Sequence, residues 1–231
     1  MPYLKFISDK NLITAVKKVV NTLEKATDEV EEKFYSNVID PFSALFHATT
    51  LEMSFDEWTE LEKSRQVQKT FQNAIGNFHQ DILGSIHGWT NLGTGKGLDV
   101  ENKRKKIIAE IKNKHNTTKG NHQVKVYDDM KTIVKSKPNY TGYYVAIIPK
   151  GQKQFNKPFT PSEKKKKRPI NQKIRLIDGV SFYKMATRRK NALAELFKVL
   201  PIVISKQHKY KINKQDFKKH LELFERAFST E

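Results

Sequence analysis

An acid and a lysine two residues apart form the strongest candidate for a chemical site in this sequence. Glu110 and Lys112 lie in the strand-like run 107–112. Residues two apart in a strand point to the same face. The other face, which points towards a core, carries the apolar residues Ile107, Ala109 and Ile111. The pattern predicts an acid and a lysine side by side on one exposed patch.

A second carboxylate, that of Asp99, joins this patch if the chain forms a hairpin. The run 97–101 is also strand-like, and a polar connection separates it from the run that contains Glu110. With an even-length turn centred between residues 103 and 104, Asp99 lies opposite Ile108 and diagonal to Glu110, within roughly 7 to 8 Å. We therefore expect both carboxylates to converge beside the lysine.

Two carboxylates beside a lysine are suited to bind Mg²⁺ and to hydrolyse a phosphodiester. Mg²⁺ prefers oxygen ligands, keeps several waters, and is commonly held by one or two carboxylates plus a phosphate. It would lower the pKa of a bound water and neutralise charge on the scissile phosphate, while Lys112 would orient the nucleophile or contact the phosphate. Other Glu-x-Lys pairs occur in this lysine-rich chain, so ordinary alternation on a solvent-facing strand also fits the spacing.

The charge balance indicates a polyanionic partner. The 231 residues include 43 Lys and Arg against 25 Asp and Glu, a net charge of +18. Such an excess produces self-repulsion unless a polyanion neutralises it, and nucleic acid is the commonest partner of this kind. A non-catalytic, basic nucleic-acid-binding protein, in which Asp99 and Glu110 are ordinary surface acids, is the alternative from another class.

Several site classes are excluded by composition and spacing. The chain has no cysteine, which excludes disulfides, thiolate nucleophiles, Cys-ligated zinc and iron–sulfur clusters. The glycine-rich run 93–97 lacks the spacing and the Ser or Thr of a phosphate loop, so we expect no nucleotide cofactor. The sequence has no long apolar run and no signal-peptide pattern at its start, and we expect a cytoplasmic protein without a membrane segment.

The order of elements predicts an α/β fold, a mixed sheet flanked by helices with helical N- and C-terminal additions. Ser8–Asp9 offers a cap for a first helix that fades near Asn37 and is ended by Asp40–Pro41, and a second helix starts at Ser54 or Asp56. Later patterns predict a helix at 124–134, strands at 142–149 and 174–177, a turn at Asp178–Gly179, and helices around Phe182, 193–200 and 217–228. We expect one domain, 1–231, with a core at about 54–149, a mobile basic loop at 150–173 and a C-terminal helical part at 174–231.

Basic residues in this loop and around it are candidates for contacts to nucleic acid. The loop carries nine Lys or Arg and a single acid, although a solvated charge run is an equally ordinary interpretation. Candidate contacts to phosphate or to nearby loops are Lys114, His115, Asn116, Lys164, Lys165, Lys166, Lys167, Arg168, Arg188, Arg189 and Lys190. Candidate base-reading residues are Arg175, Arg188 and Arg189, and the sequence does not choose among them.

The hairpin residues resemble the PD-(D/E)XK nucleases. The run 97–102, GLDVEN, is similar to the first metal-binding strand of that superfamily, and the run 109–114, AEIKNK, is similar to the second. Leu98 stands where a proline often precedes the first aspartate. Nearly the whole chain resembles the type II restriction endonucleases that cut the palindromic site GGNCC, through the segments 37–46, 72–80, 110–122 and 141–145.

This resemblance implies a restriction-endonuclease-like fold and a role for each site residue. Asp99 and Glu110 would bind Mg²⁺, the Ile111 carbonyl would be a further ligand, and Lys112 would lie near the attacking water. Glu62, on the preceding helix, is the candidate accessory acid, with a solvated helix charge as the alternative. The resemblance also implies a homodimer on double-stranded DNA, each subunit cutting one strand to leave 5′-phosphate ends. A structure-specific repair nuclease of the same fold is a further alternative.

Overall fold

A computed structural model describes residues 1–93, 97–115, 120–208 and 211–228 of the chain. Its helices are α1 (Asp9–Asp28), α2 (Val30–Lys33), α3 (Pro41–Thr50), α4 (Phe55–Gly84), α5 (Gly120–Ser136), α6 (Gly179–Thr187), α7 (Ala192–Ser205) and α8 (Lys214–Ala227), with 3₁₀ turns at Phe34–Ser36 and Lys150–Gln152. Its strands are β1 (Thr90–Asn91), β2 (Val100–Asn102), β3 (Ile107–Lys114), β4 (Thr141–Ile148), β5 (Asn156–Pro158), β6 (Ser162–Glu163), β7 (Lys166–Lys167) and β8 (Ile174–Asp178).

Six strands form one mixed sheet in the order β1-β2-β3-β4-β8-β5. The central strands β3, β4 and β8 run parallel, whereas β2 and β5 pair with them in the antiparallel sense. Parallel neighbours need a crossover, and α5 supplies it between β3 and β4. The predicted α/β fold, a mixed sheet flanked by helices, is confirmed.

The two faces of this sheet are covered very differently. On the face to which Ile107, Ala109 and Ile111 point, 26 buried residues from the sheet and from α1, α4, α6 and α7 form one cluster, and we call this side the core face. On the other side, which we call the α5 face, a smaller cluster of ten buried residues includes Ile108, Tyr144 and the apolar stripe of α5. Successive residues of β3 thus point into opposite layers, as its period of two requires.

The N-terminal helices divide differently from the predicted pattern. The first helix ends at Asp28, and Asp40 begins another helix instead of ending the first. The Asp40 carboxylate accepts hydrogen bonds from the backbone N–H groups of Phe42 and Ser43, and Pro41 occupies the first helical position. An Asp–Pro pair is unfavourable inside a helix but favourable at a helix start. The sequence therefore predicted Asp40–Pro41 as the end of one helix, whereas the pair begins the next. The predicted start of the next helix is confirmed, because Ser54 caps α4.

The segment 150–173 contains regular structure, so its description as a mobile surface loop was wrong. β5 joins the edge of the main sheet, and β6 pairs with β7 in a two-stranded hairpin. Arg168 makes two hydrogen bonds to Asp128 on α5, with atoms 2.6 and 3.1 Å apart. High polarity in the sequence concealed these short strands, because their side chains are exposed and give no apolar alternation.

Asp178 caps a helix where the sequence predicted a turn. Its carboxylate accepts a hydrogen bond from the backbone N–H of Ser181, and α6 begins at the next residue, Gly179. A Cβ atom at Gly179 would lie 2.5 Å from the carbonyl oxygen of Ile147, so only glycine fits this close approach of α6 to β4. Because β8 belongs to the main sheet, the sheet extends beyond the core that was predicted to end near residue 149. The single-domain organisation stays a prediction.

Among the residues that the structure describes, no helix combines the length and the apolar character that a membrane span needs.

Candidate active site

The β2–β3 hairpin brings Asp99 beside Glu110. Val100 pairs with Ala109, so the turn is centred one residue later than predicted and the pairing is shifted by two residues. The backbone N–H of Asp99 also donates to the carbonyl of Ala109, at 3.0 Å, so Asp99 stays at the end of the hairpin next to Glu110 and away from Ile108. The two carboxyl groups lie within hydrogen-bonding contact of each other, closer than the diagonal spacing that the sequence predicted.

The Asp99 carboxylate is fixed by the strand that it faces. Its Oδ2 atom accepts a hydrogen bond from the backbone N–H of Ile111, with 2.6 Å between the two atoms. Burial, and after it the neighbouring negative charge of Glu110, raise the pKa of Asp99 to about 6. Such a shift is typical of two acids that share one poorly solvated position. A cation between them would remove the repulsion.

Lys112 balances part of this negative charge. Its Nζ atom lies 2.6 Å from Oε1 of Glu110. Burial acts to lower the pKa of Lys112, but the carboxylates of Glu110 and Asp99 outweigh burial and raise the pKa overall, so the ammonium group stays protonated. The sequence predicted an exposed patch, and this was wrong, because Glu110 is only 6% exposed. We call this largely buried position beside the start of α5 the recess.

Helix α5 adds two basic side chains that the strand pattern could not indicate. The Nε2 atom of His122 lies 3.9 Å from Oε1 of Glu110. Lys125 lies three residues later and so on the same side of the helix. The negative charge of Glu110 contributes to raising the pKa of Lys125. The spacing of His122 and Lys125 at the start of a helix that follows β3 was the signal that could have found them.

Leu98 and Tyr144 form the apolar wall of the recess. Tyr144 is the partner of Glu110 across the parallel β3–β4 ladder, and its ring stacks on Phe159 at a centroid distance of 4.6 Å. Leu98 is 2% exposed and belongs to the same cluster. Its burial gives a packing reason for the residue that replaces the usual proline before the first aspartate. Apolar walls exclude water and strengthen the electrostatic interactions inside the recess.

The donor set fits a hard divalent cation held by few protein groups. Within the described residues no cluster of three or more His, Asp or Glu side chains is arranged for metal binding. The close pair Asp99 and Glu110 offers carboxylate oxygens only, and their mutual repulsion is the feature that a cation would relieve. Mg²⁺ accepts one or two carboxylates and completes its shell with waters and phosphate oxygens, so two acids suffice.

Glu62 lies apart from this pair. Its carboxylate accepts two hydrogen bonds at 2.6 Å from the Arg65 guanidinium and a third from Gln66. Asp81, near the other end of α4, accepts a hydrogen bond from Asn91 of β1. Glu62 precedes Asp81 by 19 residues, and 19 residues of helix span about 28 Å. The structure therefore gives Glu62 a local pairing role in α4 and does not bring it to Asp99 and Glu110.

The arginines proposed to read bases lie towards the core face. α6, whose C-terminal end carries Arg188 and Arg189, packs into the core-face cluster. Arg189 is paired with Glu195 through two hydrogen bonds of 3.0 and 2.9 Å, while Arg188 and Lys190 are exposed. In β8, Ile174 and Leu176 point to the α5 face, so Arg175 between them points to the other face. The Arg175 guanidinium donates hydrogen bonds to Asn156. None of these four side chains is brought to the recess.

The basic hairpin β6–β7 lies on the α5 side. It packs against α5, and the hydroxyl of Tyr127 on that helix donates to the carbonyl of Pro169 at 2.7 Å. Lys164 and Lys165 form its tip, and Lys166, Lys167 and Arg168 follow.

The end of β3 carries the remaining candidates for DNA contacts. Lys114 is its last residue, and His115 borders a cavity of about 330 Å³ that Tyr144 also lines. Asn116 lies outside the described residues.

Comparison with known proteins identifies the family. The family model for the Eco47II restriction endonuclease matches residues 4–208. The chain is 41% identical over 223 residues to the type II restriction enzyme Eco47II of Escherichia coli, covering 94% of this chain and 93% of that enzyme. It is 32% identical over 208 residues to the type II restriction enzyme Sau96I of Staphylococcus aureus, covering 87% and 80%. No solved structure matches it significantly. The resemblance to type II restriction endonucleases is confirmed, and the chain belongs to the Eco47II restriction endonuclease family of DNA-cleaving hydrolases.

Proposed function

We propose that this restriction endonuclease cuts both strands of the palindromic site GGNCC, as a homodimer that uses Mg²⁺ at the pair Asp99 and Glu110. Membership in the family implies DNA as the substrate and a divalent metal as the cofactor. The observation that carries the proposal is the recess itself, where two neighbouring carboxylates and a protonated Lys112 share one sheet face. The cytoplasm is the proposed location, which suits an enzyme whose substrate is DNA.

The residues of the recess divide the chemistry among them. Asp99 and Glu110 would hold the metal, with the Ile111 carbonyl as the proposed further ligand, and bound Mg²⁺ would supply a Lewis acid that lowers the pKa of water and draws charge from the phosphate. The backbone N–H of Ile111 keeps Asp99 oriented. Lys112, beside Glu110, is placed to hold the attacking water or a phosphate oxygen by a charge-assisted hydrogen bond.

Cleavage would then be an in-line hydrolysis. Water forms the new bond to phosphorus, the bond from phosphorus to the 3′ oxygen breaks, and the products are a 5′-phosphate and a 3′-hydroxyl that takes up a proton. His122 and Lys125 carry positive charge or hydrogen-bond donors on the α5 side of the recess, where they would neutralise phosphates that flank the cut. A basic hairpin on the same side of the sheet supports the proposal that DNA lies across the α5 face.

The site GGNCC and the dimer follow from the family resemblance of the segments around the active site. A palindrome is matched by two subunits related by a two-fold axis, with one active site for each strand.

The test is cleavage of unmethylated phage DNA in Mg²⁺ or in EDTA, followed by sequencing of the ends. We expect discrete fragments that end within GGNCC in Mg²⁺ and intact DNA in EDTA. Fragments that end at another sequence would contradict the proposed specificity but support the nuclease activity. Intact DNA that is retarded on gels in both buffers would contradict the nuclease activity. Glu110→Ala should cut nothing, whereas the matched control Glu31→Ala, in an exposed Glu-x-Lys pair, should cut normally.

A further inference from the structure

One segment of the chain differs sharply in charge from everything around it. Residues 34–62, which we call the acidic arm, contain no Lys or Arg although the whole chain has 43. Its acids are Asp40, Glu52, Asp56, Glu57, Glu60 and Glu62. The arm comprises the 3₁₀ turn at Phe34–Ser36, α3 and the first two turns of α4. In a protein of net charge +18, this is a surface that duplex DNA would repel.

The acidic arm also concentrates exposed apolar side chains. Of the 13 exposed large hydrophobic residues among those described, eight lie in it: Tyr35, Val38, Phe42, Leu45, Phe46, Leu51, Phe55 and Leu61. Its four aromatic members are 64% to 77% exposed, which leaves on the order of 500 Å² of aromatic surface in water. With the aliphatic members, this approaches the roughly 800 Å² that each partner contributes to a standard protein interface. A patch of this size marks an interaction surface.

Helix α3 is the centre of this patch. None of its ten residues is buried, although it holds no Lys, Arg, Asp or Glu. Phe42, Leu45 and Phe46 are spaced i, i+3, i+4 and form one apolar stripe along the helix. A helix without charge and without buried residues has no reason to stay folded in water by itself, because short helices depend on packing of an apolar face.

The base of the arm is anchored to the rest of the molecule. Phe34 and Trp58 are buried, and the side chain of Gln66 bonds both to Asn37 at 2.8 Å and to the carbonyl of Phe34 at 3.4 Å. Lys63, just beyond the arm, pairs with Glu31 at 2.7 Å. The arm is therefore held in one position while its apolar stripe points outwards, which is the arrangement of a preformed docking surface.

We propose that the acidic arm is the surface through which two copies of this chain associate before DNA arrives. Two copies of charge +18 repel each other over their basic surfaces, and two arms repel each other through their acids, so contact is most favourable at α3, which has no Lys, Arg, Asp or Glu. Interface cores are depleted of charge and enriched in aromatic residues, as α3 is. A self-complementary contact of α3 with α3 of the second copy buries both stripes and leaves the basic α5 face of each subunit open.

This inference rests on the proposed homodimer and names its interface, and its test needs neither DNA nor metal. The mass of the full chain is measured by sedimentation velocity at micromolar concentration in EDTA. The variant Phe42→Glu with Phe46→Glu places two charges on the stripe, and Leu223→Glu on α8, also an exposed apolar position, is the matched control. We expect dimers for the wild type and the control, and a dissociation constant raised at least about 100-fold in the double variant.

A second measurement does not depend on tolerance of new charges. Because the chain has no cysteine, Thr49→Cys on the α3 stripe introduces a single thiol, and Lys219→Cys on α8 is its control. A short bis-maleimide should join two copies through Cys at position 49 and not at position 219. A monomeric wild type, a double variant that stays dimeric, or cross-linking at position 219 alone would overturn the proposal. Dimers that cut no DNA would instead sink the proposed function and leave this interface standing.

Discussion

The two faces of the central sheet divide stability and chemistry between them. The core face has 26 buried residues, nearly all apolar, under several helices, whereas the α5 face has a cluster of ten and a recess with two acids and a lysine. Neighbouring residues of β3 belong to different faces, so Glu110 and Ile111 are one position apart and serve different purposes. The comparison indicates that the repulsion between the two active-site carboxylates lies on the face that contributes less to hydrophobic stabilisation.

The largest effect expected from this division is on cleavage. Asp99→Asn or Glu110→Gln removes one of the paired carboxylates and should slow cleavage by roughly 10³-fold or more, about 4 kcal/mol of transition-state stabilisation. Asp99→Asn should not lower the melting temperature, because it relieves repulsion in the recess and keeps the Glu110–Lys112 ion pair. Single-turnover cleavage and thermal unfolding of the same samples measure both quantities. A melting temperature that falls by several degrees in Asp99→Asn would break the comparison.

A substitution on the core face should show the opposite behaviour. Ile147 is 1% exposed in β4 and packs in the larger cluster. Ile147→Ala should lower the free energy of unfolding by about 2 to 5 kcal/mol through lost contacts and a cavity. Cleavage at a temperature well below the melting point should change little. Urea unfolding and a cleavage assay test this, and loss of activity in a folded Ile147→Ala protein would contradict the separation.

The two faces should also respond to pH with opposite signs when metal is absent. Burial lowers the pKa of His79, on the core side, to about 4, and its ring bonds to the Tyr183 hydroxyl at 2.9 Å. Unfolded His79 binds a proton below about pH 6.5, so its contribution to stability is lost as pH falls from there towards 4. Asp99 has a raised folded pKa of about 6, so its contribution is greatest below about pH 4 and is lost as pH rises to 6.

Each contribution is at most about 3 kcal/mol, and between pH 4 and 6 they largely cancel in the wild type. Two variants separate them. In EDTA, His79→Gln should leave a stability that falls with rising pH, and Asp99→Asn should leave one that rises. Chemical unfolding at half-unit pH intervals gives both slopes. Slopes of the same sign in the two variants would refute this assignment.

The smallest expected effect concerns the tip of the basic hairpin. Lys164 and Lys165 have φ angles of 47° and 65°, a left-handed conformation that Asn and Gly adopt at lower cost. Replacing the pair by Asn-Gly removes two charges and relaxes the turn. We expect an unchanged or higher melting temperature, and a slope of log affinity against log salt that is smaller by about 2. An unchanged slope would mean that the tip does not contact phosphate.

The sequence was sufficient for the parts of the fold that repeat an apolar pattern. The alternation in 107–112, the run of β4 and the long stripe of α4 each identified an element, and Glu110 with Lys112 followed from the same period of two. The hairpin register was predicted two residues away, because the length of a polar turn is not encoded in the alternation of the strands beside it. The spacing of His122 and Lys125 indicates that they share one side of α5, but whether that side faces Glu110 depends on how α5 packs over β3, which no local pattern contains.

The turn between β2 and β3 has a consequence for how this enzyme can diverge. Its residues at 103 and 104 are exposed and tolerate almost any polar side chain. A single inserted or deleted residue, in contrast, would rotate Asp99 to the core face and leave Glu110 alone. Selection on this hairpin therefore acts on the length of the turn far more than on its composition. Descendants of this sequence can change the residues at 103 and 104, but a functional lineage is expected to inherit the length of the turn unaltered.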